Sequence, residues 1–452
     1  MDLRFLKNKP IAILGFGREG KSLWRFLSKH GITAEILDQN QSAASSVGSD
    51  PAPKGIFGKD YLQNLNRFEV IFRSPGIPRL TPELVAAEKQ GTIISSTTKL
   101  FFDLCPCPII GVTGTKGKGT TATLIFEILK RAGRSVFLGG NIGESPLNFL
   151  PFLDEKDLVV LELSSFQLQD LHRSPFLAVI TNITLDHLDH HKNEEEYLTA
   201  KANLIIHQQP DNFAVFNADD EKTKRIALKT TASRFWFSVE KMTEPGGFVQ
   251  EGKLYLKFGS EPESICTVDE ILVPGRHNLQ NILAAAVAGK ILKVATKHIR
   301  QTVTSFPGLP HRLQFVREFN KIKFYNDSAA TLPDPTIAAI FAIPQPKVLI
   351  MGGSEKHADY SKLAQTIAKN RVRAVVLIGD TGKRIEKELK TAKFSGTASF
   401  IEGDMEKIVK TALSFAQEGD AVILSPASAS FGLFKNYRDR GEQFMEAVKK
   451  LN

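Results

Sequence analysis

Residues 111–124 read GVTGTKGKGTTATL. Gly117 and Lys118 supply the glycine and lysine of the phosphate-binding pattern G-x-x-x-x-G-K-[ST], in which glycines admit phosphate oxygens close to backbone N–H groups and the lysine neutralises their charge. The match is imperfect: Gly111 stands one place too early, and Gly119 occupies the position of the hydroxyl that normally helps hold Mg²⁺. Thr120 and Thr121 follow at once, so the metal-facing hydroxyl shifts by one position and is not lost. Backbone N–H groups from Gly114 through Thr115, Lys116, Gly117, Lys118 and Gly119 to Thr120 form the expected cradle. A plain structural glycine turn is the alternative, and a lysine among three nearby glycines argues against it.

Downstream, LVVLELSSFQL and AVITNITLDHLDHH each read as an apolar strand ending in polar groups. Parallel strands deliver their C-terminal ends to one sheet edge, so Glu162, Asp186, His187 and Asp189 can converge beside the phosphate loop. Carboxylate oxygens suit Mg²⁺ when substrate phosphate completes the shell, whereas imidazole is less usual for so hard a cation. The plain reading makes Glu162 a strand-end surface charge and DHLDHH a solvated turn. Lys201, in EEEYLTAKANLI, lies on a helix expected to begin after Asn193. Desolvation there can make its amine nucleophilic, and a neutral amine reacts with CO₂ to give a carbamate; sequence alone favours a packed stem with its head in water. Near the N-terminus, GFGREG (15–20) follows a strand and opens a helix, with Asp38 after the next strand and Ser74-Pro75-Gly76 on a nearby loop. This pattern accommodates a dinucleotide such as NAD, and equally a tight strand-to-helix turn.

The elements that must position these residues follow from the apolar pattern. Strand-like runs alternate with helix-length amphipathic segments, which predicts an α/β fold with largely parallel sheets. Strand IAILGF, helix KSLWRFLSKHG and strand AEILD open a first block; PIIGVTG and the helix after it open a second, which extends to NLQNILAAAVAGKIL; KVLIMGG, AVVLIG and AVILSP are buried strands of a third. The expected domains are 1–98, dinucleotide-fold-like; 99–308, a phosphate-loop ATPase domain; and 309–452, α/β. The chain has 452 residues, 42% hydrophobic and 24% charged, which is ordinary for a water-soluble protein. Its 58 basic against 49 acidic residues are scattered without a long run, which favours anionic small substrates over nucleic acid. No apolar stretch approaches the ~20 residues that cross a bilayer. Three cysteines, Cys105, Cys107 and Cys266, make no disulfide framework; they read as reduced thiols, and cytoplasmic localisation is expected.

Taken together, GFGREG, SPGI, GVTGTKGKGTT, GGNIG, LELSSFQL, NITLDHLDHH, AKANLI, PGRHNLQNILAAA, GLPHRLQ, NDSAAT, GGSEKHADY and LSPASASFGLFKNYRDRGEQF resemble, in order and spacing, the Mur ligase family, over nearly the whole chain. The resemblance implies a peptidoglycan-precursor ligase that forms an amide bond through an acyl phosphate, using ATP and Mg²⁺, with UDP-N-acetylmuramoyl-L-alanine and D-glutamate as substrates and a monomeric state. It displaces the NAD reading and assigns Arg18, Glu19 and Asp38, with Ser74, to the UDP-linked substrate, and Asn141, Ser164 and Gln167 to its muramoyl-alanine part. Lys118 and Thr120 are implied at the phosphates and metal, Glu162 and His187 at the metal sites, and Lys201 as a carbamylated lysine. Asn278 and Asn281 match the adenine-side motif H-N-x-x-N, and Arg312 and Asp327 are implied to complete the ATP site. Thr331, Lys356, Ser430 and Tyr437 match the positions that hold the incoming amino acid. The family commonly has lysine in N-D-S-K-A-T, where this chain has Ala329. Other readings are a related ligase for L-glutamate or another amino acid, a folylpolyglutamate synthase, an NAD-dependent oxidoreductase and a non-catalytic nucleotide-binding regulator.

Overall fold

The apolar run Ile11–Leu14 is buried at all four positions and forms the central strand, β1, of a five-stranded parallel sheet. In this computed structural model, which describes residues 1–43, 54–184, 193–355 and 358–452, three sheets succeed one another along the chain. The first contains β1, β2 (Glu35–Asp38), β3 (Gly55–Phe57), β4 (Val70–Arg73) and β5 (Ile93–Ser95), in the order β3-β2-β1-β4-β5. Strand order reverses on either side of β1, so the turns after β1, β2 and β4 meet at one edge, the usual place for a ligand crevice.

The second sheet has nine strands: β6 (Ile109–Thr113), β7 (Val136–Gly140), β8 (Leu158–Glu162), β9 (Leu177–Ile180), β10 (Phe213–Asn217), β11 (Ser233–Ser238), β12 (Gly246–Gln250), β13 (Lys253–Lys257) and β14 (Glu263–Thr267). Its order is β14-β13-β12-β11-β10-β9-β6-β8-β7, and only β13 runs antiparallel to its neighbours. β6, β8 and β9 are buried at every position, as strands covered on both faces must be. The helix Lys118–Arg131 buries Ala122, Leu124, Ile125, Ile128 and Leu129, and each of the larger side chains contributes about 1.5–3 kcal/mol. One hydrophobic core runs from Ile11, Leu23 and Phe72 of the first sheet region through Phe101 and Leu147 to Val159, Ile180 and Phe216 of the second.

The third sheet contains β15 (Gln314–Phe319), β16 (Ile322–Asn326), β17 (Lys347–Gly352), β18 (Val372–Ile378), β19 (Thr397–Phe400) and β20 (Ala421–Leu424). Its order is β15-β16-β20-β17-β18-β19, with only β15 antiparallel. The chain separates into two compact units: Met1–Thr267 with Gln280–Thr302, which holds the first two sheets, and Val268–Leu279 with Val303–Asn452, which holds the third. No helix among the described residues is long and apolar enough to cross a membrane.

Candidate functional site

The phosphate loop joins β6 to the helix Lys118–Arg131, and two of its glycines have positive φ: +148° at Gly114 and +82° at Gly117. A Cβ on Gly114 would lie 2.0 Å from Thr181 Oγ1, and one on Gly117 would lie 2.1 Å from Asn281 Oδ1. The loop is therefore pressed against the end of β9 and the helix Arg276–Ile291, an approach that only glycine permits. The Thr115 and Lys116 N–H groups donate to Asn182, at 2.8 and 2.9 Å. Asn182 thus engages two of the N–H groups in the expected run of donors from Gly114 to Thr120, beside the anion-attracting helix N-terminus. Thr120 is half-buried in the first helical turn, beside Gly119, and the next hydroxyl, Thr121, donates to Asn281 at 3.4 Å. Lys118 folds back so that its ammonium donates to the carbonyls of Gly114 and Thr115, at 3.0 and 2.9 Å.

Lys201 reaches the same loop from another element. Its helix, Glu194–Ala202, starts because Asn193 accepts a hydrogen bond from the Glu196 N–H, and Glu194, Glu195 and Glu196 complement the helix dipole. The lysine head is not in water, as sequence alone suggested: Lys201 is 1% exposed, and its Nζ donates to Gly114 O at 2.8 Å, 4.6 Å from the Tyr197 ring centroid. Packing across the sheet, invisible in a local helix pattern, buries it. Two lysine amines thus converge on one carbonyl oxygen.

Around them lies a cavity of about 370 Å³, lined by Gly114, Thr115 and Lys118 from the loop, Asn141 after β7, Ser164, Ser165 and Phe166 after β8, Tyr197 and Lys201, and Pro75 and Gly76 after β4. Glu162, the last residue of β8, is 7% exposed and so is no surface charge. Asn141, a cavity residue, donates its side-chain amide to Glu162 Oε1 at 3.3 Å. His187, with Asp186 and Asp189, lies outside the described residues. Among the described residues no group of three His, Cys, Asp or Glu side chains could hold a metal by itself. Magnesium does not require one, because phosphates and water usually complete its shell.

At the first sheet, the Asp38 carboxylate accepts the Phe16 and Asn40 N–H groups at 2.5 and 2.7 Å, bracing the GFGREG turn. Ser74 Oγ donates to Gly15 O at 2.7 Å. Arg18 donates to the carbonyls of Gly140 and Gly143, at 2.8 and 3.1 Å, tying the first sheet to the loop after β7. Ser164 and Gln167 close on each other, with Ser164 N–H donating to Gln167 Oε1 at 2.9 Å. The Gln167 amide then donates to Glu19 Oε1 at 2.7 Å. Glu19 Oε2 is buried without a hydrogen-bond partner, and burial raises this carboxyl above its ordinary range.

Sequence reading missed the charges that clamp this edge. Arg73, 1% exposed, donates to Asp170 Oδ2 at 3.0 and 2.6 Å, to Ile77 O at 2.5 Å and to Phe166 O at 2.8 Å. Arg79 meets the other Asp170 oxygen at 3.0 Å. The available signal was an arginine ending the otherwise apolar strand VIFR.

In the unit that contains the third sheet, Asp327 follows β16 and accepts the Leu313 N–H at 3.0 Å and the Ser425 hydroxyl at 2.7 Å. Burial pushes its pKa up to about 7; Arg312, exposed, acts in the opposite direction. Ser425 Oγ also reaches Thr336 Oγ1 at 2.9 Å. Arg440, fully buried, donates to Ser328 Oγ and O, both at 2.9 Å, and to the Ser428 and Ala429 carbonyls at 3.1 and 3.2 Å. It pins the NDSAAT turn to the loop that carries Ser430, which is 3% exposed. Thr331 is half-buried after that turn, and Tyr437 begins the helix Tyr437–Lys449 with its ring edge-on to His311 at 6.0 Å. Asn278 donates to Pro274 O at 2.7 Å. Lys356 lies outside the described residues.

Residues 9–96 match the Mur ligase MurD-like N-terminal domain, 112–289 the Mur ligase middle domain, and 311–428 the Mur ligase glutamate ligase domain. The chain belongs to the Mur ligase family, ATP-dependent enzymes that form amide bonds, typically with Mg²⁺. Among its relatives, the UDP-N-acetylmuramoylalanine–D-glutamate ligase of Acetivibrio thermocellus is 40% identical over 457 residues, covering 99% of this chain and 97% of that protein. The protein of the same name from Symbiobacterium thermophilum is 38% identical, covering 98% of each. The fold is shared with the crystal structure of UDP-N-acetylmuramate-alanine ligase MurC from Thermotoga maritima, with a TM-score of 0.57 at 19% identity and coverage of 98% of this chain and 99% of that one.

Proposed function

We propose that this chain joins D-glutamate to UDP-N-acetylmuramoyl-L-alanine, with cleavage of ATP to ADP and phosphate, in the synthesis of peptidoglycan precursors. The observation that carries the reading is the convergence of Lys118 and Lys201 on Gly114 O, at 3.0 and 2.8 Å, in a cavity that also has walls from the segments after β4, β7 and β8. Two ammonium groups at one neutral oxygen repel each other, and phosphate oxygens or conversion of one lysine to an anion relieves that repulsion.

The residues present fit ATP and Mg²⁺. Thr120 and Glu162 are oxygen donors of the kind magnesium prefers, and Lys118 stands at the N-terminus of the helix Lys118–Arg131, which attracts phosphate. Mg²⁺ would neutralise phosphate charge, held by Thr120, Glu162 and His187. Lys118 neutralises phosphate from the loop, with the backbone of Gly114, Thr115, Lys116, Gly117 and Gly119 around it; Asn278 and Asn281 serve the adenine side, and Arg312 and Asp327 complete the nucleotide site. The substrate carboxylate takes up the terminal phosphoryl group as an acyl phosphate; the D-glutamate amine then attacks that carbonyl, and phosphate leaves as the amide forms. Lys201 adds its neutral amine to CO₂ with loss of a proton, and the resulting carbamate is an anionic partner for the metal site. Arg18, Glu19, Asp38 and Ser74 hold the UDP part; Asn141, Ser164 and Gln167 hold the muramoyl-alanine part; Thr331, Lys356, Ser430 and Tyr437 hold the amino acid. The corresponding domains are 1–98, 99–308 and 309–452, in a cytoplasmic monomer that engages neither nucleic acid nor membrane.

The test is a panel of amino acids offered with UDP-N-acetylmuramoyl-L-alanine and ATP, with product mass and chirality as the readout. D-Glutamate is expected to give product and to stimulate phosphate release. A preference for L-glutamate or another amino acid would overturn the assignment, and Ala329, where the family commonly has lysine, makes that arm informative.

A further inference from the structure

Cys105 and Cys107 flank Pro106 in the connection between the helix Thr97–Leu104 and β6. Their sulfur atoms are 3.7 Å apart, and the Cys105 thiol also reaches Cys107 O at 3.5 Å. The contact is built into the backbone. Proline restricts the residue before it to extended conformations, and Cys105 has φ −64° and ψ 123°. The chain bends at Cys107, and the two thiols meet across Pro106. Their environments differ: Cys107 is 7% exposed and packs in the core with Phe102 and Ile109, whereas Cys105 is partly open. Neither residue lines the phosphate-loop cavity or contributes to the chemistry proposed above.

We propose that Cys105 and Cys107 are a reversible dithiol–disulfide pair, oxidised by exchange with a low-molecular-weight disulfide. The Cys105 thiolate, the accessible sulfur, attacks one sulfur of R–S–S–R, forming a mixed disulfide and expelling R–S⁻. Cys107 then loses its proton, and its sulfur attacks Cys105 Sγ, displacing the second R–S⁻. Two protein thiols are oxidised, one small disulfide is reduced to two thiols, and no other reactant is needed. The hydrogen bond between the thiols holds Cys105 below the ordinary thiol range, while that bond and burial raise Cys107, which matches the order of attack. Closure requires the sulfurs to approach from 3.7 Å to about 2.05 Å in a ring spanning a single residue. Such a constrained bond is readily reduced, as a regulatory disulfide must be and a structural one is not. It would form at the start of the strand whose far end carries Gly114.

The full-length protein is incubated with mixtures of oxidised and reduced glutathione, quenched with an alkylating agent and analysed by intact mass and peptide mapping. The expected product has lost two hydrogens, keeps no glutathione, links Cys105 to Cys107 and is reversed by dithiothreitol. Cys107→Ser is expected to retain one glutathione at residue 105, and Cys105→Ser to stay unmodified over the same time. A wild-type protein that stays reduced, or that accumulates glutathione on Cys105 as Cys107→Ser does, overturns the pair. Modification of Cys107 in Cys105→Ser at the wild-type rate overturns the order of attack.

Discussion

Thr120 and Thr123 sit one helical turn apart and separate the chemical role of the phosphate loop from its structural one. Thr123 Oγ1 is buried without a hydrogen-bond partner, so Thr123→Ala removes a hydroxyl that contributes little and is expected to leave turnover within about twofold. Thr120→Ala removes the proposed metal-facing oxygen, and kcat/KM for Mg²⁺-ATP is expected to fall by ~10- to 100-fold, the range that loss of even an outer metal partner produces. Equal small effects would reduce the loop to a turn. Lys201→Ala, at a residue 1% exposed, is expected to lose on the order of 10²-fold or more of substrate-dependent phosphate release, with partial recovery in acetate, a carboxylate small enough for the vacated space. Full activity of the unsupplemented variant would sink the carbamate. The lysine's identity was legible in AKANLI, but its burial was not, because its partner Gly114 is 87 residues earlier in the chain.

At the scale of elements, the two sheets of the first unit are joined by a few polar ties that cross long sequence separations. Asp170 balances Arg73 and Arg79, and Asp170→Asn leaves the Arg73 guanidinium buried without its counter-charge. Breaking one side of a buried pair typically costs about 3–5 kcal/mol. Urea unfolding followed by Trp24 and Trp236 fluorescence checks this, and a loss below about 1 kcal/mol would mean that the arginine finds another anion. The strands themselves were readable: VIFR, IIGVT, LVVLE and LAVI are short, largely apolar runs, and each is a buried strand. Their lateral order was not readable, since β6 pairs with β8 and β9 while β7 lies beyond β8. Neither were the clamps, because a strand-end arginine gives no indication of a partner 97 residues away.

For the whole molecule, the apolar pattern announced three α/β blocks, and three sheets are found, but they gather into two units, and the first two sheets share a core. Composition reports how many cores a chain can fill and not which of them merge. The second unit has its own pH dependence. The folded pKa of Asp327 is about 7, above the ordinary value of 3.8, so the folded state favours its protonated form. The associated stability is fully present below pH 3.8 and is lost as pH rises through 7, an effect on the order of 4 kcal/mol. Asp327→Asn, which mimics the protonated carboxyl, is expected to flatten the stability of this unit across that window. Urea midpoints at several pH values provide the comparison, and parallel slopes for the two proteins would refute it. The crowded backing of the phosphate loop also has a genetic meaning. Every missense change of a glycine codon introduces a Cβ, and at Gly114 and Gly117 that atom would lie 2.0 and 2.1 Å from Thr181 Oγ1 and Asn281 Oδ1. Variation in this gene is therefore expected to reach those two codons only at their silent third base.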